Sequence, residues 1–468
     1  MIRKKVFEPA LFYDHSQIAR PSSKNFYVRL NAVIKDWGSL CGPLHSVFSL
    51  KNDGRPVDPI VYFKIYLVGY FENIEFDTDL DERISDSIAI REFLGYRLDE
   101  STPDHSSIGR VRSRLNESGQ LQSVLDLVVG LCNGAGLLGG DETAVDSTLM
   151  KANASLSSLK NVETKESVRE HLNRLEEAGE KPSVSNKVFR STTDPDARIS
   201  KKGTTCPRGM YHKATHVTDS KNQVIVSVHV SRADVGDPEA AIPALAQAKS
   251  VLEANGLKLE TVVGDAGYDD SKFHAHVESL GATPITNYTV QKGGKEEGFT
   301  KASFKYDADK DVYVCPNGAE LKLDSRTGTQ AFYHSSPSDC AACPFRASCL
   351  AKKSSYRTIN RSKNEDARLR NIARCHTDEG RKALKKRKTV VEPPFGHMKR
   401  LGGMRGLNCR GEKRVNSKVT MAAIAWNLMK LVKKAVADGL NELATAIFIA
   451  ISIVLATIAR PQSKLSQI

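Results

Sequence analysis

The chain has 468 residues, of which 40% are hydrophobic and 26% are charged. This length suggests about two to four domains, and the composition is that of a globular protein, which excludes a disordered or collagen-like chain. The formal net charge is +13, and nine cysteines are too few for a disulfide scaffold of this size.

The positive charge is concentrated towards the C-terminus. Residues 381–434 contain 16 Lys or Arg and only two acids, Glu392 and Glu412, which favours a phosphate-rich partner. Residues 71–104 have the opposite balance, with 11 acids and three arginines. We therefore do not expect residues 71–104 to lie along DNA.

Residues 1–140 are predicted to form a helical N-terminal domain. Asp58-Pro59 starts one helix, residues 80–93 form a second, and a cap-rich turn at 101–107 opens a third. A turn before a basic helix is what a helix-turn-helix needs, and two helices packed in a bundle explain the pattern equally well. The third helix carries three arginines, Arg110, Arg112 and Arg114.

Strands alternate with helices after residue 140, which favours an α/β sheet. The predicted strands cover 143–148, 210–217, 224–231, 261–265 and 282–287. The predicted helices cover 165–178, 238–255 and 271–280. We assign residues 141–289 to the first part of a core, with a polar insertion at about 155–205, and the basic helices of 361–434 to its second part.

Residues 290–360 interrupt this alternation and are interpreted as an inserted module. The module contains four cysteines, Cys315, Cys340, Cys343 and Cys349. Four thiolates favour a tetrahedral structural Zn²⁺, and free thiols in a reducing compartment are the alternative. His212 and His216 lie four residues apart on a predicted strand, where hydrogen-bonded core histidines are favoured over metal ligands.

Residues 435–468 are predicted to form an apolar helix and a tail. Residues 443–459 contain only three polar residues and lie at the short limit for a membrane span, so a buried or self-associating helix is favoured. Residues 1–20 lack an export signal. A cytoplasmic location is therefore expected, with association to the nucleoid when the protein is bound to DNA.

Three acids stand out by their positions. Asp146 and Asp265 each end a predicted strand, where ligands of open sheets usually bind, and Glu392 lies in the basic stretch. Two carboxylates from adjacent strands and a third from a helix can hold two Mg²⁺ or Mn²⁺ ions for phosphoryl transfer. The structural alternative for each acid, taken singly, is a surface residue or a helix cap.

The sequence around these acids resembles a known family. Val-Asp-Ser-Thr at Asp146, Val-Gly-Asp-Ala-Gly-Tyr at Asp265 and Val-Glu-Pro-Pro-Phe-Gly-x-x-Lys at Glu392 are similar, in order and context, to the Asp-Asp-Glu triad of bacterial insertion-sequence transposases of the DDE type. The resemblance implies a ribonuclease-H-like catalytic core, a mixed sheet flanked by helices, with an all-α N-terminal DNA-binding domain. The cysteine-containing insertion resembles one subgroup of the family.

The basic residues around the glutamate follow the family pattern in part. In many members a Tyr is followed, after two intervening residues, by an Arg. The Glu comes after three more residues, and a Lys after a further six. Lys399 is seven residues after Glu392, as the pattern requires, whereas the Tyr and Arg positions are Lys385 and Lys388, with Arg387 adjacent. The aromatic hydroxyl is thus lost and the positive charge is kept.

Two prolines directly follow the glutamate in the sequence. Pro393 and Pro394 lack the backbone N–H that a helix interior needs. We therefore expect Glu392 at or near a helix start.

The resemblance implies a reaction and a division of labour on double-stranded DNA. Metal-activated water cuts the element end, and the freed 3′-OH then attacks target DNA, with Asp146, Asp265 and Glu392 as metal ligands. A homodimer assembled on element ends and target DNA is expected, without a nucleotide cofactor. Sequence reading is expected from the three N-terminal arginines, and phosphate contacts from Lys399, Arg400, Arg405, Arg410, Lys413 and Arg414.

Two other functions are compatible with the same residues. A ribonuclease-H-like nuclease that cuts without joining would use the same triad. A non-catalytic DNA-binding protein derived from a transposase would not need it, and the intact Asp146, Asp265 and Glu392 argue against that alternative.

Overall fold

The computed structural model describes residues 20–47, 58–204, 206–288, 298–401 and 403–439. The apolar segment 443–459 lies outside these ranges. Within them, no helix combines the length and the apolar character that a membrane crossing requires.

The N-terminal part of the described chain is helical, as predicted. Its helices are α1 (Phe26–Val33), α2 (Trp37–Leu40), α3 (Gly42–His45), α4 (Pro59–Glu72), α5 (Asp77–Asp86), α6 (Ile88–Leu94), α7 (His105–Ser118) and α8 (Leu121–Gly134). The Asp58 carboxylate caps α4 by accepting the Ile60 N–H. The single helix predicted over 80–93 is wrong, because Ser87 has extended backbone and separates α5 from α6.

The central sheet contains six strands. They are β1 (Glu142–Lys151), β4 (Arg198–Lys202), β5 (Cys206–Asp219), β6 (Ile225–Arg232), β7 (Thr261–Gly264) and β8 (Thr283–Thr286). The spatial order is β6-β5-β1-β7-β8, with β5 antiparallel to both neighbours and β1, β7 and β8 parallel. This mixed sheet agrees with the ribonuclease-H-like core that the family resemblance implies.

The strand β4 lies inside the predicted polar insertion and yet belongs to this sheet. It pairs with the first half of β5, next to the half that pairs with β6. The rest of the insertion forms a small unit from β2 (Leu159–Asn161), α9 (Val168–Glu177) and β3 (Phe189–Ser191).

The cysteine-containing segment forms a second sheet with its own small core. Its strands are β9 (Lys305–Asp307), β10 (Val312–Val314), β11 (Glu320–Thr327), β12 (Gln330–Ser335) and β13 (Thr358–Ser362), with α12 (Pro337–Ala341) and α13 (Arg346–Cys349) between the last two. Buried Phe304, Tyr313, Leu321 and Tyr333 fill the core.

Five further helices complete the described chain. They are α10 (Asp237–Ala254), α11 (Ser271–Ser279), α14 (Glu365–Cys375), α15 (Asp378–Leu401) and α16 (Glu412–Ala437). α15 crosses the sheet, and Val390 and Val391 pack on Ala144 of β1. Both Pro393 and Pro394 lie inside α15, so the expectation that Glu392 stands at a helix start is wrong.

The helix α16 joins the N-terminal helices to the sheet. It packs against α4, α7 and α8 on one side and against β6 on the other. The Asn427 amide accepts the Ile225 N–H at 2.9 Å and donates to the Ile225 carbonyl at 2.8 Å. Asn416 accepts the Val230 N–H in the same way. These contacts cover the backbone of β6, which would otherwise be an open sheet edge.

Replacing Asn427 by alanine should lower the free energy of unfolding by about 2–4 kcal/mol, because two buried backbone groups of Ile225 lose their partner. Denaturant titration of the full chain measures this change. The control is Lys433→Ala, an exposed position on the same helix, which should change stability by no more than about 0.5 kcal/mol. Equal stability of the two variants would contradict this role of Asn427.

Candidate active site

Asp146 lies in the middle of β1 rather than at its end. The strand continues for five residues to Lys151, so the expectation of a strand-terminal acid is wrong at this position. The Oδ1 atom of Asp146 accepts the Ser147 N–H at 2.8 Å. Because side chains alternate along a strand, Asp146 lies on the same face of β1 as Ala144, the face that packs against α15.

Asp265 directly follows β7, as predicted, and caps a short 3-10 turn. Its Oδ1 atom accepts the Gly267 N–H at 2.8 Å. A Cβ at Gly267 would lie 2.9 Å from that oxygen, and one at Gly264 would lie 3.1 Å from both Thr286 and Tyr268. The two glycines of the Val-Gly-Asp-Ala-Gly-Tyr motif therefore leave room for these close contacts.

The tyrosine of the same motif ties the Asp265 turn to β1. The buried Tyr268 hydroxyl hydrogen-bonds to the Ser147 hydroxyl at 2.7 Å, which also bonds to the Thr215 hydroxyl of β5 at 2.7 Å. Ser147 is next to Asp146 and points to the opposite face of the strand. This network fixes the two aspartates relative to each other through their chain neighbours.

Arg387 of α15 lies between the two aspartates. Its Nη1 donates to Asp146 Oδ2 at 3.0 Å, and its Nη2 lies 4.0 Å from Asp265 Oδ2. The arginine side chain is only 10% exposed, against 20% for Asp146 and 36% for Asp265. One guanidinium thus faces the Oδ2 atoms of both carboxylates.

The electrostatics of Asp146 reflect these neighbours. Burial raises the pKa of its carboxyl, the Arg387 charge lowers it, and the Asp265 charge raises it again, with a net upward direction. The cross-strand neighbour His216 contributes no positive charge near neutral pH, because burial lowers its pKa to about 3. Arg387 is therefore the main counter-charge that Asp146 meets.

The two strand histidines are hydrogen-bonded core residues. Both are buried: His212 Nε2 lies 2.9 Å from Asp194 Oδ2, and His216 Nδ1 bonds to the Thr218 hydroxyl at 2.6 Å. The ring of His216 also packs against Phe395 of α15, with centroids 3.9 Å apart. Both histidines are therefore buried and hydrogen-bonded through one ring nitrogen, which fits their interpretation as core residues.

Glu392 is exposed on α15 and does not join the two aspartates. Five residues of α-helix correspond to a rotation of about 140°, so Glu392 points away from the face that carries Arg387. Among the described residues, no three His, Cys, Asp or Glu side chains are arranged to hold a metal ion. Asp146 and Asp265 fit one side of a hard-cation site, and the three-carboxylate arrangement is not formed in this structure.

The basic residues after Glu392 lie near the sheet end that follows Asp146. The Leu407 N–H donates to the Lys151 carbonyl at 2.9 Å, so the loop between α15 and α16 runs beside the end of β1. The side chains of Arg400, Arg405, Arg410, Lys413 and Arg414 are exposed, and that of Lys399 is half-buried. Arg410 donates to the Asn153 carbonyl, and Arg414 pairs with Glu117.

The three N-terminal arginines do not share one face of α7. Arg110 and Arg114 are exposed and one helical turn apart, whereas Arg112 lies on the other side. Arg112 pairs with Asp77 of α5 at 2.5 Å and lines a cavity of about 430 Å³ between the N-terminal helices and the start of α16. Arg110 and Arg114 fit the predicted exposed role better than Arg112 does.

The four cysteines of the second sheet line one small cavity of about 30 Å³. All four are free thiols, and burial raises the pKa of Cys349. Their common cavity agrees with the predicted zinc site, although the side chains do not form metal-binding geometry here. Zinc at this position stays a prediction.

Two ranges of the chain match known protein families. Residues 314–432 match a family described as "Transposase DDE domain", and residues 15–114 match one described as "Transposase domain (DUF772)". The first range contains Glu392 and the four cysteines, and the second contains the three arginines of α7. Two separate parts of the chain are thus similar to transposase domains.

The chain is also weakly similar to a solved structure. The cryo-EM structure of a piggyBac transposase synaptic complex with hairpin DNA matches with a TM-score of 0.36 and 11% sequence identity. The match covers 94% of this chain and 84% of that chain. No curated protein matches.

Two site residues, Arg387 and Tyr268, have roles that the sequence alone does not assign. Arg387 is one of 16 basic residues in its stretch, and only the fold places it against the carboxylates. Tyr268 stands in the Asp265 motif, and its contact with the residue after Asp146 could have been expected from the adjacency of β1 and β7.

We predict one zinc ion per chain, bound by Cys315, Cys340, Cys343 and Cys349 with Zn–S distances of about 2.3 Å. Elemental analysis of the purified full chain measures the content. Cys343→Ser should lose the metal, and Cys132→Ser, a buried cysteine outside the module, should keep it. A reduced, folded chain without zinc would contradict this prediction and leave the carboxylate site unaffected.

Proposed function

We propose that this protein is a transposase, which cleaves the ends of an insertion sequence and joins the resulting 3′-OH to target DNA by metal-dependent phosphoryl transfer. The observation that carries the proposal is the pair of Oδ2 atoms of Asp146 and Asp265, which face the same Arg387 guanidinium. Asp146 lies on β1, and Asp265 directly follows the neighbouring parallel strand β7. Paired carboxylates on adjacent strands suit Mg²⁺ or Mn²⁺, which prefer hard oxygen ligands.

Asp146, Asp265 and Glu392 would hold the metal in this proposal. A bound divalent ion would supply charge stabilisation to the attacking and leaving oxygens of the DNA phosphate. The protein's own part is to fix the two aspartates. Each has its Oδ1 engaged by a backbone N–H, of Ser147 or Gly267, which leaves its Oδ2 turned to the site.

The basic loop beside β1 supports a path for DNA into this site. Arg400, Arg405 and Lys413 are exposed, and the loop is hydrogen-bonded to the end of the strand that carries Asp146. We infer that these residues contact phosphates, which position DNA without reading its sequence. Arg110 and Arg114 of α7 remain the proposed readers of the element end.

Replacing Asp265 by asparagine should reduce Mg²⁺-dependent cleavage of element-end DNA by roughly a hundredfold or more. Loss of a residue that only hydrogen-bonds to a metal ligand already lowers metal affinity or activity about 10–100-fold. DNA binding, measured by electrophoretic mobility shift, should be retained. The matched control is Asp270→Asn, a nearby acid that caps α11 and should keep cleavage. Full cleavage by Asp265→Asn would refute the catalytic assignment.

A joining assay separates this proposal from a nuclease that only cuts. A pre-cleaved element end with a free 3′-OH is incubated with target plasmid, Mg²⁺ and the full chain. Joined products support the transposase. Cleavage of intact ends without any joining of the pre-cut end would identify a nuclease instead.

Neutralising Arg400, Arg405 and Lys413 by glutamine should weaken binding to all DNA sequences alike. The slope of log K against log salt should fall by about one for each phosphate contact removed. The comparison uses specific and random duplexes across a salt series.

The charge-matched control replaces Lys322, Lys352 and Lys353 of the cysteine-containing segment, whose side chains are also exposed. Its salt slope should equal that of the unmodified chain. A changed preference between specific and random DNA in the C-terminal variant would contradict the assignment of these residues to phosphate contacts.

A further inference from the structure

Arg387 stands where a cation is required by the two aspartates. Asp146 and Asp265 each use Oδ1 for a backbone N–H and direct Oδ2 to the same guanidinium, at 3.0 and 4.0 Å. The oxygens left available for a divalent ion are thus the oxygens that Arg387 faces. A divalent ion that binds both Oδ2 atoms would therefore compete for this position with the Arg387 guanidinium.

Helix geometry also prevents Arg387 and Glu392 from facing the two aspartates at the same time. They are five residues apart on α15, which separates their directions by about 140° around the axis. In the orientation seen here Arg387 faces the aspartates and Glu392 is exposed. An orientation that turns Glu392 towards the aspartates must turn Arg387 away.

The backbone of α15 is weakened at the point where such a turn would occur. Pro393 and Pro394 have no N–H, so the carbonyls of Thr389 and Val390 lack their usual helical partners. The Thr389 carbonyl accepts instead from the side-chain amide of Gln223, at 2.9 Å. The helix between Arg387 and Glu392 can therefore twist with fewer backbone hydrogen bonds to break.

We propose that Arg387 is a built-in counter-ion that occupies the cation position of the Asp146–Asp265 pair, and that it exchanges with Glu392 when a divalent ion binds. Arg387 is then a positioning residue: it holds two like charges together until the metal replaces it. This inference rests on the proposed metal site of the transposase.

The test is Mn²⁺ binding to the full chain without DNA, measured by electron paramagnetic resonance of free Mn²⁺. Arg387→Gln removes the competing charge, so the Kd for Mn²⁺ should fall about tenfold. Without metal the same variant should have a lower Tm, because the two carboxylates then repel each other, and saturating Mn²⁺ should restore it. Arg387→Lys, which keeps a positive charge, should return the Kd towards that of the unmodified chain.

The matched control is Lys386→Gln. Lys386 is adjacent to Arg387 on α15 and pairs with Glu142 of β1 at 3.1 Å. Its replacement therefore removes an equal charge beside β1 without changing a contact of the aspartates. The Kd for Mn²⁺ should stay within about twofold. A purely structural arginine would instead give a lower Tm with unchanged or weaker Mn²⁺ binding in Arg387→Gln, and that result would overturn the proposal.

Failure of the metal site itself gives a different result. If Asp146→Asn binds Mn²⁺ as tightly as the unmodified chain, the proposed ligands are wrong and the proposed function loses its support. If Mn²⁺ binding depends on Asp146 and Asp265 but not on Arg387, the metal site stands and only the counter-ion exchange is refuted. Retained Mn²⁺ affinity in Glu392→Gln would exclude Glu392 as the incoming group.

Discussion

The carboxylates of Asp146 and Asp265 face the same position and repel each other. The structure around the site has to offset this repulsion. The parallel pairing of β1 and β7 brings Asp146 of β1 close to Asp265, which directly follows β7. The Tyr268–Ser147 hydrogen bond keeps the Asp265 turn against β1. Neither contact neutralises charge. Arg387 supplies the missing positive charge from α15, a helix more than a hundred residues away in the sequence.

The position of α15 follows from its packing on the sheet. Val390 and Val391 cover Ala144, and Phe395 lies against the neutral His216 ring. These apolar contacts set which face of the helix meets the carboxylates, and that face carries Arg387. Because Val390, Val391 and Phe395 pack against the sheet, the side chain of Glu392 points to solvent. The orientation of a single helix thus decides which of two opposite charges occupies the site.

Much of this arrangement could be predicted from local sequence, and the remainder depends on contacts that are distant in the chain. Apolar runs predict the strands β5, β6, β7 and β8. The family resemblance predicts that Asp146 and Asp265 lie close together. The continuation of α15 through Pro393 could not be predicted, because the carbonyl that the proline leaves free is bonded by Gln223, 166 residues earlier. The break at Ser87 was missed because residues on both sides favour helix.

The burial of α16 between the N-terminal helices and β6 has a consequence for biosynthesis. The hydrogen bonds of Ser417 with Asn116 and of Asn427 with Ile225 join residues about 300 and 200 positions apart. At about 5–20 residues per second, the N-terminal helices leave the ribosome roughly 15–60 s before α16 can cover them. During that interval the apolar surfaces of α4, α7 and α8 have no α16 to pack against. The nascent chain therefore completes this part of its core only after α16 has been synthesised.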